Sequence, residues 1–448
     1  MRVWKGFATV ALTMLVAGGM AWGDDTDNSM GGSDQNPSSD QLENPAPETP
    51  ATPAVTPTAA PDAAIMQGFK AIGIGQPMEN LGFFINGYVE AGYLYDMTVP
   101  KDQTPAKTAP GDDIFFAGPY KNSFVFDQVD LQLERKMVNL AKGDWDAGFK
   151  IEAYYGSDAY FTHSNGILDN NNKENGAVNG ANGPNDQLDL LQAYVTLGIP
   201  VGTGLSLEAG KFLSLLGYET IDPTQNIFYT HSYAFSYGSP FTMTGFLAQY
   251  TFSDPSSPDS TTLTAGITRG WNQSTYDNNG EPDGVFQLKS KTGGFGFTAN
   301  LMIGPEGILA YGPSDNGDWW VVPEIIGTWQ LSDQFNLGID LLYGDATHLT
   351  QWFSAAAYIK YQLDPHVAIG TRLEYYHDGR GVTTGVGGND VNYYETTVGV
   401  QVSPLPDSPL FQSLTLRPEV RYDASDQQVF DFAHYTQVTA AIDVYWKF

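Results

Sequence analysis

From Leu81 to Phe448 apolar and polar residues alternate with a period of two, segment after segment. In the first segment Leu81, Phe83, Ile85, Val89, Ala91, Tyr93 and Tyr95 share one face, and Asn86, Tyr88, Glu90 and Asp96 the other. Farther on, Trp145, Ala147, Phe149, Ile151, Ala153 and Tyr155 oppose Asp146, Lys150 and Glu152, and Leu416, Val420 and Tyr422 oppose Arg417, Glu419, Arg421 and Asp423. Successive side chains of a strand point to opposite faces, so this is strand alternation and not helical spacing. It predicts sixteen strands, near 81–97, 124–137, 145–156, 187–199, 205–212, 242–252, 261–271, 283–291, 294–304, 319–331, 335–344, 352–363, 367–378, 391–403, 414–424 and 434–448.

The connections alternate in length. Lys142-Gly143-Asp144, Pro200–Thr203, Lys291-Thr292-Gly293, Ser332–Gln334 and Asp364–His366 are tight. Long polar loops lie between them at 98–123, 157–186, 213–241, 272–282, 305–318 and 379–390. Short turns at one rim and long loops at the other are the layout of an outer-membrane barrel. Aromatics gather at the segment ends (Trp145 and Tyr155, Trp319 and Trp329, Phe335 and Tyr343, Trp446 and Phe448), as two interfacial girdles flanking an apolar band about 25 Å tall would require. A soluble sandwich would place its large aromatics nearer mid-strand. The fold expected is a single all-β, antiparallel, up-and-down transmembrane barrel, with short periplasmic turns and long extracellular loops.

The last segment puts Val438, Ala440, Ile442, Val444, Trp446 and Phe448 on one face, and the chain stops on Phe448. This resembles the terminal signal read by bacterial barrel-assembly machinery, with Val444, Trp446 and Phe448 as its carriers. At the other end, basic Arg2 and Lys5, apolar Phe7–Met20 and the small-x-small Ala21-Trp22-Gly23 read as a cleaved signal peptide over 1–23. Residues 24–80 read as a periplasmic spacer, disordered where Pro, Thr, Ala, Ser and Asp dominate, with Ile65–Pro77 expected as loop. The barrel is then 81–448.

Composition agrees with an exported barrel. Only 16% of residues are charged, against about 25% in ordinary soluble chains. The net charge of −30 argues against a nucleic-acid partner, which needs a basic footprint. The absence of Cys excludes disulfides, thiolate metal sites and a cysteine nucleophile.

Several motifs resemble a known family, the outer-membrane β-barrel porins of the OmpL-like second type. They are Gly87–Tyr93, Gly210-Lys211-Phe212 with Gly217-Tyr218-Glu219, Phe235–Gly245 and Ile303–Gly307, in that order, and the resemblance spans 81–448. It implies a membrane barrel with pore function and no catalytic residues.

A sixteen-stranded barrel is too wide for side chains to fill, so the polar face should line water. The candidate pore-lining residues are Arg372, Arg417, Arg421, Glu374, Glu395, Glu419, Lys150, Glu152 and Asp340, each costing about 2–4 kcal/mol (less for acids) if turned to lipid at mid-bilayer. The 213–241 loop follows the fifth strand and carries Glu219 and Asp222, the candidate constriction residues. Two readings are open for the arginines. Facing an acidic loop, they would create a transverse field that sorts solutes. Paired with Glu374, Glu395 and Glu419, they would only satisfy the wall.

Lumen-side Tyr88, Tyr194, Trp320, Tyr358, Tyr376 and Tyr393 could form a sugar slide, or fill the barrel. The six histidines (163, 231, 348, 366, 377 and 434) have no zinc-like spacing. Asp277–Glu281 and Asp169–Asn172 look like calcium-loop fragments that turn chemistry explains. No Ser–His–Asp grouping stands out. Neither catalysis nor a metal or cofactor is expected. The expected function is a porin passing small hydrophilic solutes by diffusion, embedded in outer-membrane lipid, with a homotrimer as the inferred assembly. The alternative is a loop-occluded barrel acting in surface binding or adhesion. An outer-membrane enzyme and a secreted soluble β-protein complete the possibilities.

Overall fold

The computed structural model describes residues 63–98, 122–167, 186–253, 257–306, 319–431 and 433–448. The signal peptide, the spacer up to residue 62, Asp169–Asn172 and Gly307 lie outside these.

Strands β1 (Phe83–Asn86) and β2 (Tyr88–Asp96) are one run interrupted at Gly87, since both pair with β3 (Ser123–Arg135). There follow β4 (Asp146–Gly156), β5 (Gln187–Ile199), β6 (Leu205–Leu213), β7 (Thr242–Thr251), β8 (Ser260–Thr268), β9 (Asp283–Thr292) and β10 (Phe295–Pro305). The second half comprises β11 (Trp319–Gln330), β12 (Phe335–Ala346), β13 (Thr350–Asp364), β14 (Val367–Asp378), β15 (Val391–Val402), β16 (Thr415–Ser425) and β17 (Thr436–Lys447). From β2 onward each strand pairs antiparallel with the next, and β17 returns to β2 with Thr439 opposite Asp96 and Lys447 opposite Tyr88. At the break, the Gly87 and Phe448 backbones exchange hydrogen bonds of 3.0 and 2.8 Å. The wall is thus a closed sixteen-strand barrel plus one short extra strand, as the alternation predicts.

Closure removes every sheet edge, which matters because an unpaired backbone group in hydrocarbon costs several kcal/mol. Among the described residues no helix is long and apolar enough to cross a membrane. The outward face is apolar: Leu131, Ile151, Val195, Ile267, Leu373, Val398, Val420 and Ile442 all project from the wall. Aromatics bound this band at both rims. Phe83–Phe149, Phe295–Trp329, Phe335–Tyr361 and Trp446–Phe448 touch at the short-turn rim, and Phe353–Tyr375–Tyr394 at the long-loop rim. The ten residue steps from Trp145 to Tyr155 span about 33 Å of strand, or roughly 25 Å of height once tilted.

Two bulges re-aim side chains. One, opposite Glu90/Ala91, turns both Asp127 and Gln128 of β3 into the interior. The other, opposite Glu152/Ala153, does the same for Leu191 and Gln192 of β5.

Where composition predicts loop over Ile65–Pro77, the structure has two short helices, α1 (Ala64–Ala71) and α2 (Gly75–Asn80). Ala, Met, Gln and Lys are good helix formers, and tertiary contacts hold the pair in place. Met66 is buried, Lys70 pairs with Glu79 at 2.8 Å, and Gln67 Nε2 donates to Pro409 O at 2.9 Å.

Candidate functional site: a loop fastened across the lumen

The lumen is not an empty bore. Residues 213–241, between β6 and β7, turn inward and cross it, and the wall meets them with a polar partner at almost every step. The Leu215 carbonyl accepts from Gln287 Nε2 of β9 at 3.0 Å, and Gly217 N–H donates to both oxygens of Glu324 on β11 at 3.0 Å. Glu219 meets Arg372 of β14 at 2.8 Å. The Ile221 carbonyl accepts from Gln128 Nε2 of β3 at 3.1 Å.

The next stretch bends around Arg417 of β16. Its Nη1 donates to the Pro223, Asn226 and Phe228 carbonyls at 2.9, 3.1 and 2.8 Å, and its Nη2 to Glu90 and Asp443 at 2.7 and 2.6 Å. Gln401 of β15 donates to the Asn226 and Ile227 carbonyls. Tyr229 and Thr230 N–H donate to Glu419 at 2.8 and 3.2 Å, and Tyr233 and Ala234 N–H to Glu374 at 2.6 and 2.8 Å. Arg421 donates to the His231 carbonyl and is held by Asp423. Tyr233 Oη donates to Asp423 at 3.0 Å, and Trp352 Nε1 of β13 to the Gly238 carbonyl at 3.0 Å.

The pattern has a physical cause. A loop inside a barrel leaves bulk water, so its backbone N–H and C=O groups need replacement partners. The wall supplies carboxylates where the loop presents N–H groups, and guanidinium or amide groups where it presents carbonyls. Charge-assisted bonds of this kind are stronger than neutral ones.

The wall is also thinned where the loop passes. A Cβ on Gly92 would overlap the Tyr229 ring, one on Gly338 the Tyr218 ring, and one on Gly370 would lie 2.5 Å from Ile227. Apolar contact completes the fit. Loop residues Leu215, Leu216, Tyr229 and Tyr233 join lumen-facing Leu94, Val285, Met302, Val322 and Leu342 in one buried cluster.

The sequence-predicted residues fall as follows. Arg372, Arg417, Arg421, Glu374, Glu395, Glu419, Glu152 and Asp340 all point inward and all are buried. The arginines flank β15 from both sides, as their strand positions imply. They lie under the loop rather than along open water. Arg372 binds Glu219 of the loop and Glu395 of the wall, whereas Glu374 and Glu419 accept from loop N–H groups. Lys150, half-buried, pairs with Glu152 at 2.7 Å.

Glu219 is a hub, accepting also from His231 Nδ1 at 3.1 Å and Ser232 N–H at 2.8 Å. Burial opposes its charge, but Arg372 and these donors prevail and hold its carboxyl well below the usual range. Burial pushes His231 below its ordinary value, with the Glu219 contact only partly offsetting it. Asp222 serves the loop's own shape, since its Oδ1 accepts from Thr224 N–H at 2.9 Å and caps the tight turn Pro223–Gln225. Val444 and Trp446 lie on the outer face, with Phe448 beside them at the barrel seam.

The aromatics proposed as a slide are largely taken up by packing. Tyr358 stacks on Tyr218 at 4.1 Å and Tyr376 on Tyr233 at 5.7 Å, while Tyr393 lies tilted against Tyr233 at 4.6 Å. Asp277 Oδ1 accepts from Asn279 and Gly280 N–H, which is turn chemistry. Among the described residues no three His, Asp or Glu side chains converge to hold a metal.

Sequence reasoning missed Gln128, Gln287, Gln401, Trp352 and the wall glycines. One signal was available. Val285, Met302, Val322 and Leu342 are apolar on the polar face of four consecutive strands, which marks a surface that something must cover.

The sixteen-strand wall, its apolar belt and the inward loop define a barrel of the outer-membrane porin class. The chain belongs to the family described as "Putative beta-barrel porin-2, OmpL-like", whose model matches residues 82–448, and its place is the outer membrane. OprB of Pseudomonas putida is similar in fold at 14% identity, with a TM-score of 0.52 over 87% of this chain and 99% of that one. An anion-selective porin from Comamonas acidovorans is similar at 10% identity, with a TM-score of 0.51 over 82% and 99%. A comparison with curated protein sequences finds no match.

Proposed function

We propose that the barrel passes small hydrophilic solutes by passive diffusion through the part of its lumen that the 213–241 loop leaves uncovered. The observation that carries this reading is the anchoring itself, in which the buried Glu219–Arg372 pair, the Arg417 bonds to loop carbonyls and the glycine-thinned wall positions fix the loop against the wall. A loop so fixed sets a constant cross-section.

The three arginines serve in this reading as loop anchors, their charge spent on Glu219, Glu395, Glu90, Asp443 and Asp423. Selectivity then falls to lumen-face cations outside the anchoring network, Lys291 and Lys360, neither of them fully buried. The pore should pass anions in preference to cations despite the net charge of −30. No catalytic step enters the reading. Assembly through the barrel machinery by way of Val444, Trp446 and Phe448, and trimerisation, are parts of the same proposal.

One observation favours the alternative, a loop-occluded barrel acting by binding or adhesion. The apolar cluster around Tyr233, Met243 and Trp352 reaches wall strands on several sides. Single-channel recording of the refolded mature chain in a planar bilayer decides between them. Discrete open steps, with a reversal potential on the anion side, support diffusion. Correctly inserted but silent barrels would overturn it in favour of binding.

A further inference from the structure

The periplasmic rim carries an apolar surface that the barrel itself does not require. Ile72 and Ile74, which follow α1, and Leu81, which follows α2, are 70, 47 and 60% exposed. Beside them, in the turn between β15 and β16, Leu405, Leu410 and Phe411 are 47, 50 and 42% exposed. Gln67 of α1 joins the two pieces through the Pro409 carbonyl.

The turn does not hang below the pore. It leans over the outer wall, where Trp446 Nε1 donates to the Leu410 carbonyl at 2.8 Å and the Phe411 and Trp446 rings lie 5.5 Å apart. Trp446 belongs to the lower aromatic girdle, with Phe448 next to it at 5.3 Å. The exposed patch therefore continues the lipid-facing band downward from its lower edge. Lys136 stands at the same level, its N–H bonded to the Gly82 carbonyl and its ammonium shared between Glu134 at 3.8 Å and the Phe84 ring, so the apolar residues carry the contact.

The geometry points to a membrane-binding collar: the 64–82 segment and the 403–414 turn lie in the headgroup–acyl boundary of the periplasmic leaflet, with phospholipid as their partner. Short amphipathic segments bind there through buried apolar area and basic flanks, and girdle aromatics mark the same depth. This inference rests on the barrel and its lipid band and holds whether or not the pore conducts.

The absence of Cys makes the test direct. Ile72→Cys and Leu410→Cys in the mature chain are labelled with a small fluorophore and refolded into phosphatidylglycerol-containing liposomes. Leu373→Cys on the lipid face and Glu281→Cys in an extracellular loop serve as references. Heat-modifiable gel mobility confirms folding of each variant. Nitroxide lipids labelled near the headgroup should quench positions 72 and 410 at least half as strongly as position 373. Iodide on both sides of the membrane should quench them several-fold less than position 281. Full iodide quenching at position 72 would overturn the proposal. So would protection from both quenchers, the result expected if the segment packed under the pore. Energy transfer between labelled copies without lipid quenching would overturn it too, assigning the patch to a subunit contact.

Discussion

Replacing Arg372 with Met removes the charge that joins loop to wall while keeping most of the side-chain volume. Arg372 is 0% exposed and donates to Glu219 at 2.8 Å, to the Thr230 carbonyl at 2.7 Å and to Glu395 at 3.1 and 3.3 Å. Without it Glu395 keeps Arg421 at 3.9 Å, whereas Glu219 keeps only His231 and the Ser232 donors. Breaking a buried pair on one side costs about 3–5 kcal/mol, since a charge is left uncompensated. The backbone ladder of the wall does not depend on this contact, so the cost should fall on seating of the loop. At about 1.4 kcal/mol per tenfold change, the unseated fraction should rise by roughly two to three and a half orders of magnitude. Single-channel recording should then show larger, flickering conductance, and protease added to the folded protein should cut within 213–241. Adding Glu219→Gln to Arg372→Met removes the stranded charge and should restore part of the wild-type behaviour, which a general packing defect would not allow. Conductance, flicker and protease resistance all unchanged in Arg372→Met would refute the claim that this ion pair holds the loop.

Acid should unseat the loop in two stages. His231 is pushed below its ordinary 6.5, so protonation favours the unseated state as pH falls through 6.5. Glu219 is held below its ordinary 4.5, so its contribution is complete above 4.5 and is lost as pH falls further. Conductance noise recorded from pH 8 to 3 should rise in both windows; His231→Gln should abolish the first, and flat noise throughout would contradict the assignment. Gly370→Val and Gly92→Val place a branched side chain where Ile227 and Tyr229 sit and should open 213–241 to protease while the barrel still folds. Lys291→Gln with Lys360→Gln should move the reversal potential toward cations while leaving loop protection intact. Phe448→Ser should lower the yield of assembled barrel in cells several-fold and change refolding in detergent little, because the expected reader is the assembly machinery.

Local pattern was enough to specify the wall. Strand alternation, turn glycines such as Gly143, Gly202 and Gly293, and terminal aromatics act over a few residues, and a one-residue slip would turn a whole strand's charges to lipid. Sixteen strands, their approximate limits and the inward face of Arg372, Arg417 and Arg421 were therefore legible. So was the 213–241 loop as the element facing them. What those arginines touch depends on contacts that only the closed barrel brings together. Arg417 serves three loop carbonyls almost 200 positions away in the chain, and no local pattern records that contact. Likewise Gly92, Gly338 and Gly370 read as weak strand residues until the rings and methyl groups above them are in place. The α1–α2 segment shows the same limit: eight helix-compatible residues are marginal alone, and it is burial of Met66 and the bond from Gln67 to a turn more than 300 residues away that make them a helix. Short-range pattern fixes which face a residue occupies, because that depends on backbone geometry alone. What it faces depends on long-range closure, which only the folded barrel supplies.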